Sequence, residues 1–224
     1  MAIPEMAFKL PNLAESAAAL RWARRLLQLQ GRLRSNEPTQ ILVCASFGAL
    51  VGALVAGLHA LVDRIHHFAF NISGDLTLSA GIGVDPNRIL VVPALGGLLL
   101  GIGALIMRRY RPNDVVDPIE ANALHGGRMS LKDSLRLLVA TVWSNSSGVS
   151  VGMEAGYSQL GAVVLAKAGQ YFRLRREDQR IFVAAGAGAA IAAAFSTPLA
   201  GAFYGYELIP VSYTHLTLPT NREV

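Results

Sequence analysis

Charge is scarce in this chain. Only 16% of its 224 residues are Asp, Glu, Lys or Arg, against about 25% in a soluble domain. The deficit is uneven. Long uncharged blocks alternate with short basic ones, which excludes an ordinary soluble domain and points to several membrane passes. Cysteine is nearly absent. The single Cys44 lies inside an apolar run, so there is neither a disulfide framework nor a cysteine metal set. Aromatic residues make up only 7% and the basic residues flank apolar spans, so the net charge of +5 does not describe a nucleic-acid surface. Residues 1–10 are too few and too polar for the apolar core of a cleavable signal peptide. A paired nucleophile and base is also missing. Ser146 and Ser147 are followed by no histidine except His215, so no catalytic residue is assigned and no enzyme is expected. His59, His66 and His67 lack carboxylates at metal-ligand spacing, so no metal and no cofactor is expected either.

Glycine, by contrast, is abundant at 22 residues. It lets helix backbones approach closely where lipid supplies no hydrophobic drive between them. Residues 39–62 carry no formal charge and are long enough to span a bilayer. Gly48, Gly52, Ala56 and Ala60, spaced by four, form a flat seam for another helix. Residues 63–88 are mixed and poor in Lys and Arg, the composition of an external loop. Residues 89–107 form a second span, anchored by Arg108, Arg109 and Arg111. A mixed-charge stretch over 112–136 contains Pro112, Pro118 and the Gly126-Gly127 pair. Residues 137–153 and 155–166 are uncharged and each is shorter than the roughly 20 residues a full span needs. Short, Gly-interrupted segments are how broken helices expose their ends at membrane depth. Arg173, Arg175, Arg176 and Arg180 follow. They are expected on the cytoplasmic side, with 108–111 and the N-terminus. The last uncharged run, 181–206, is broken by Pro198.

The two ends of the chain read differently. Residues 13–33 interleave leucines and Trp22 with five arginines of the 21–34 stretch. That pattern fits a helix on the cytoplasmic membrane surface, or else an ordinary solvated helix. Residues 211–220, VSYTHLTLPT, resemble the translation of a sequencing-library adapter. Segment 210–224 is then not native. The alternative is a real polar loop after a helix.

Glu154 is the most informative residue. It lies in SSGVSVGMEAG (residues 146–156), with no basic residue within ten positions on either side. A carboxylate inside apolar membrane sequence is expensive and marks function by default. The glycines and serines before it predict irregular backbone opening into a helix, whose N-terminus offers free N–H groups to an anion. A carboxylate there would compete with the anion. It could also take up a proton, because burial disfavours its charged form. The alternative is a membrane-surface glutamate acting as a simple N-terminal cap.

Several blocks together resemble the CLC family of chloride channels and anion/proton exchangers. AAGAGAAIAAAFSTPLAGAFYGYE (184–207) is similar to the family's small-residue run followed by Phe-Asn-Ala-Pro-Leu-Ala-Gly and a glutamate. The piece Pro198-Leu199-Ala200-Gly201 is the most specific. VPALGGL (92–98) resembles the family's second span. VDPIEA (116–121) through Gly126-Gly127-Arg128 resembles the helix after its first anion motif. The resemblance covers residues 40–209. It implies an all-α polytopic membrane protein, the first repeat of a CLC-type inverted-repeat fold with broken, re-entrant helices. Residues 1–37 would then be a cytoplasmic N-terminal segment and 38–209 the transmembrane half.

The resemblance also implies roles. Gly152-Met153-Glu154-Ala155-Gly156 stands at the family's Gly-Arg-Glu-Gly-Pro, with Met153, Ala155 and Gly156 in place of Arg, Gly and Pro. Glu154 becomes the gating glutamate, with Gly152, Met153, Ala155 and Gly156 lining the anion site. Pro112-Asn113-Asp114-Val115-Val116 stands at Gly-Ser-Gly-Ile-Pro, so Asn113 takes the place of the serine that donates to the central anion. An amide N–H can do the same. Glu207 matches the first of two adjacent glutamates on the exchangers' proton path, and Leu208 replaces the second. That favours a voltage- or pH-gated channel over a proton-coupled exchanger. The implied partners are chloride or another small anion, the lipid bilayer and, at full length, a second copy in a homodimer. The implied location is a bacterial inner membrane, with several passes and a cytoplasmic N-terminus. The alternative is a truncated fragment that conducts nothing and only binds or supports.

Overall fold

Two long apolar helices lead the described part of the chain. The computed structural model describes residues 31, 37–72, 84–110, 115–149 and 151–209. Residues 1–30 and 210–224, and with them most of the basic N-terminal segment and all of the adapter-like tail, lie outside the described residues. Helix α1 is Glu37–Phe70 and α2 is Pro86–Tyr110. Both are long and apolar enough to cross a membrane.

At 34 residues, α1 is about 51 Å long and overshoots a hydrocarbon core of roughly 30 Å. It continues through Asp63, Arg64, His66 and His67, which the composition assigns to an external loop. Those charges do not end the helix, which runs on to Phe70. Its end comes at Asn71, which adopts the left-handed φ of 53° that commonly stops a helix. Arg88 donates to the Phe68 and Ala69 carbonyls at 3.4 and 3.0 Å, covering acceptors that the last turn leaves orphaned. Asp85 opens α2 by accepting from the Asn87 N–H at 2.9 Å. Pro86 follows at the first helical position, where its missing N–H does no harm. Arg108 and Arg109 close the last turn of α2 and complement its negative end.

Five shorter helices follow: α3 Pro118–Ala123, α4 Leu131–Ser146, α5 Glu154–Tyr171, α6 Arg176–Phe195 and α7 Pro198–Glu207. No strand occurs among the described residues, so the expected all-α class holds. The chain breaks between α4 and α5. It breaks again at Ser196, which has a left-handed φ of 53°, just before Pro198 starts α7. Helices α5 and α6 run antiparallel. Gly161 and Gly186 meet so closely that a methyl group on either would strike the other's main-chain carbonyl, so only glycine permits this approach. Phe182, Leu165, Val51 and Val55 fill the core beside that contact.

Gly48 of α1 lies near Ala189 of α6, and Gly52 near Ala193, so these two helices run parallel. The expected four-residue seam is only half used, since Ala56 and Ala60 are exposed. The register explains it: α6 ends at Phe195, and nothing of that helix remains opposite the next turn of α1. Burial falls instead on Val51 and Val55. These registers bring the start of α1, the end of α2, the α5–α6 turn and the end of α7 to one end of the molecule. Arg108, Arg109, Arg173, Arg175 and Arg176 are therefore gathered there. The start of α5 and the α6–α7 break lie at the other.

Candidate anion site

The α4–α5 break is built by backbone as much as by side chains. Ser147 ends α4, its hydroxyl donating to the Trp143 carbonyl at 2.8 Å. The Trp143 indole N–H donates to the Gly96 carbonyl at 3.1 Å, tying the break to α2. His66 of α1 bonds the Asn145 carbonyl at 2.9 Å. Gly152 then takes φ 76°, a conformation that strains any residue with a side chain. That turn aims the chain into α5.

Glu154 is the first residue of α5, and Met153 occupies the cap position without a side-chain hydrogen bond. Among the described residues the cap position gives the first N–H groups of α5 no side-chain acceptor, and the helix dipole adds partial positive charge there. The Glu154 carboxylate folds back over Gly152, where a β-carbon would strike its Oε2. Glu154 and Ala155 are exposed, while Met153 and Gly156 are buried. Gly156 packs on Thr141 and Leu138 of α4. Beneath lies Tyr157, whose hydroxyl donates to the Met153 Sδ at 3.4 Å. Its ring meets His59 edge-on, with centroids 5.0 Å apart. His59 and His66 thus have structural partners, and His67 bonds the Ile72 carbonyl at 3.0 Å.

Gly152, Met153, Glu154, Ala155 and Gly156 are thus assembled at one helix start. Asn113 lies outside the described residues. Glu207, exposed at the end of α7, sits at the opposite end of the helix bundle. The length of α5, about 27 Å for its 18 residues, separates it from Glu154.

Two buried amides escaped the sequence reading. Gln159 of α5 donates to the Val116 carbonyl at 3.0 Å and the Ser134 hydroxyl at 2.9 Å. It thereby anchors the segment that follows Asn113. Asn122 of α3 donates to the carbonyls of Arg180 and Leu208 at 3.1 and 2.9 Å, fastening α3 to α6 and to the end of α7. A polar amide inside the uncharged 155–166 run was the available signal for Gln159.

Short broken helices carried by two spans long and apolar enough to cross a bilayer are the build of a polytopic membrane protein. The family model described as voltage gated chloride channel matches residues 96–219, and the chain belongs to that family. It is similar to the voltage-gated ClC-type chloride channel ClcB of Escherichia coli O139:H28 (strain E24377A / ETEC), with 33% identity over 180 residues. The ClcB proteins of Escherichia coli strain K12 / DH10B and of Shigella boydii serotype 18 match equally. These alignments cover 76% of this chain and 41% of each relative, so the chain spans less than half the length of those proteins. A solved slow cyanobacterial Cl-/H+ antiporter aligns with a TM-score of 0.49 and 20% identity, over 76% of this chain and 46% of that one.

Proposed function

We propose that this chain supplies half of an anion pathway through a bacterial inner membrane, with the α5 N-terminus as an anion site and Glu154 as its gate. The observation that carries the reading is the α5 start itself: a cap residue, Met153, that makes no side-chain hydrogen bond, and a single carboxylate at the first helical position. An ionised Glu154 competes with a halide for those N–H groups. A proton on Glu154 removes the competitor and frees the site. Membership of the chloride channel family and the ClcB likeness support chloride as the anion.

Within this reading Asn113 contributes an amide donor from the segment anchored by Gln159. The pathway is a gated channel, because Leu208, buried and apolar, stands where an exchanger of the family has its second glutamate. Glu207 is left on the proton side without that partner. The working unit is a homodimer with its N-terminus in the cytoplasm. The test is chloride efflux from liposomes carrying the full-length protein, wild type against Glu154→Gln, at neutral and at acidic pH. The neutral amide should raise efflux severalfold at neutral pH and flatten its pH dependence. An unchanged pH profile would overturn the gating role.

A further inference from the structure

A second feature lies at the opposite end of the molecule from Glu154. The α3–α4 connection, the end of α5 and the start of α6 enclose a basin of about 1090 Å³. His125, Arg128, Lys167, Arg173 and Arg176 line it, and no carboxylate does among the described residues. Its volume is just above the roughly 300–1,000 Å³ range of small-molecule sites and far exceeds a single halide. The walls are preformed. Gln179, buried at the basin floor, donates to the Gly127 carbonyl at 3.0 Å and the Ala166 carbonyl at 2.8 Å, locking three elements together. The Arg176 side chain lies against Gly126, which holds it at the rim. Lys167 spends one N–H on the Gln170 side chain at 3.1 Å, and an ammonium has three.

Arginine forks beside a lysine suit phosphate oxygens. The neighbouring turn adds a second observation. Tyr171, 60% exposed, and Phe172 stack edge-on with centroids 5.4 Å apart, immediately before Arg173. Phe172 is half-buried against Phe47 of α1, and the exposed Tyr171 ring next to an arginine fits the headgroup level of a bilayer, where tyrosine is enriched. We propose that this basin binds the phosphate of an anionic phospholipid headgroup and so holds the α3–α4 connection and the α5–α6 turn at one membrane surface. The shared chemistry is a phosphate ester, and the exposed Tyr171 ring favours the lipid over a soluble ester. The inference does not rest on the gating role of Glu154.

The test is native mass spectrometry of the 224-residue chain in detergent with phosphatidylglycerol, phosphatidylcholine or glycerol phosphate. Phosphatidylglycerol should bind in preference to phosphatidylcholine. Arg128→Gln/Arg176→Gln should weaken that binding about tenfold, the effect of losing charge-assisted hydrogen bonds. Arg108→Gln/Arg109→Gln, at the same end but outside the basin, should leave it unchanged. Lys167→Gln alone should weaken it about threefold, a milder variant if the double one does not fold. Equal loss in both arginine doubles, or no preference for phosphatidylglycerol, would overturn the proposal. Binding of glycerol phosphate alone, with none of the lipid, would overturn the lipid as source.

Discussion

Single residues divide into those that local sequence exposes and those that only the fold explains. Glu154 belongs to the first kind, because a carboxylate stranded in apolar, Gly-rich sequence is visible without any partner. Gln159 and Asn122 belong to the second. Gln159 meets Val116 across 43 residues, and Asn122 meets Leu208 across 86. No periodicity links such pairs. Their energetic weight is nonetheless large, since a buried acceptor that loses its donor costs about 1–3 kcal/mol. Gln159→Leu keeps volume but leaves the Val116 carbonyl and the Ser134 hydroxyl without it. We expect the variant to lose about 2 kcal/mol or more of stability, read as an earlier unfolding transition in a denaturant titration in detergent. A transition coincident with wild type would remove Gln159 from the anchoring of the Asn113 segment.

Whole helices were more legible than their ends and contacts. The uncharged runs identify α1 and α2 because lipid exposure leaves composition as a direct record of burial in the membrane. The overshoot of α1 was hidden because charge reports membrane depth, whereas Asn71 with its left-handed backbone sets the stop. Half of the small-residue seam meets no helix among the described residues, for a similar reason. A spacing of four shows that a partner helix fits, not how far along it the partner extends. The close pair Gly161 and Gly186 illustrates the energetics that spacing cannot rank. A leucine at Gly161 must displace the Gly186 main chain and Ala190, and overpacking of this kind costs roughly 1–3 kcal/mol or more. Gly57 is the internal comparison, because a β-carbon there meets nothing within 4 Å. Gly161→Leu should unfold far earlier than wild type in the same titration, while Gly57→Ala should match it or gain about 0.5–1 kcal/mol from better helix propensity. If both variants behave alike, the α5–α6 contact is not what holds the bundle.

At the scale of the whole molecule, the arginine-rich ends of α2, α5 and α6 share one end of the bundle, and Glu154 faces the other. Positive residues are retained on the cytoplasmic side, so a cysteine replacing Arg175, in a background with Cys44 replaced by alanine, should resist an impermeant external thiol reagent in intact cells. Labelling from outside would invert the topology. The same architecture leaves large apolar faces without cover among the described residues. Leu199, Phe203 and Tyr206 of α7 are 76%, 69% and 68% exposed, spaced as one helical stripe. A stripe of that kind on a re-entrant helix needs either lipid or another helix, and α7 is too short at 10 residues to cross the bilayer by itself. The α5 N-terminus is equally open, with Glu154 and Ala155 exposed and no second set of described helix ends facing them. A conduction path needs walls on every side to exclude lipid and to replace the hydration of the ion. The 224-residue chain alone should therefore give no chloride efflux above that of protein-free liposomes, even with Glu154→Gln installed. Selective efflux carried by the chain alone would show that it closes its own pore, most directly by pairing these open faces between two copies.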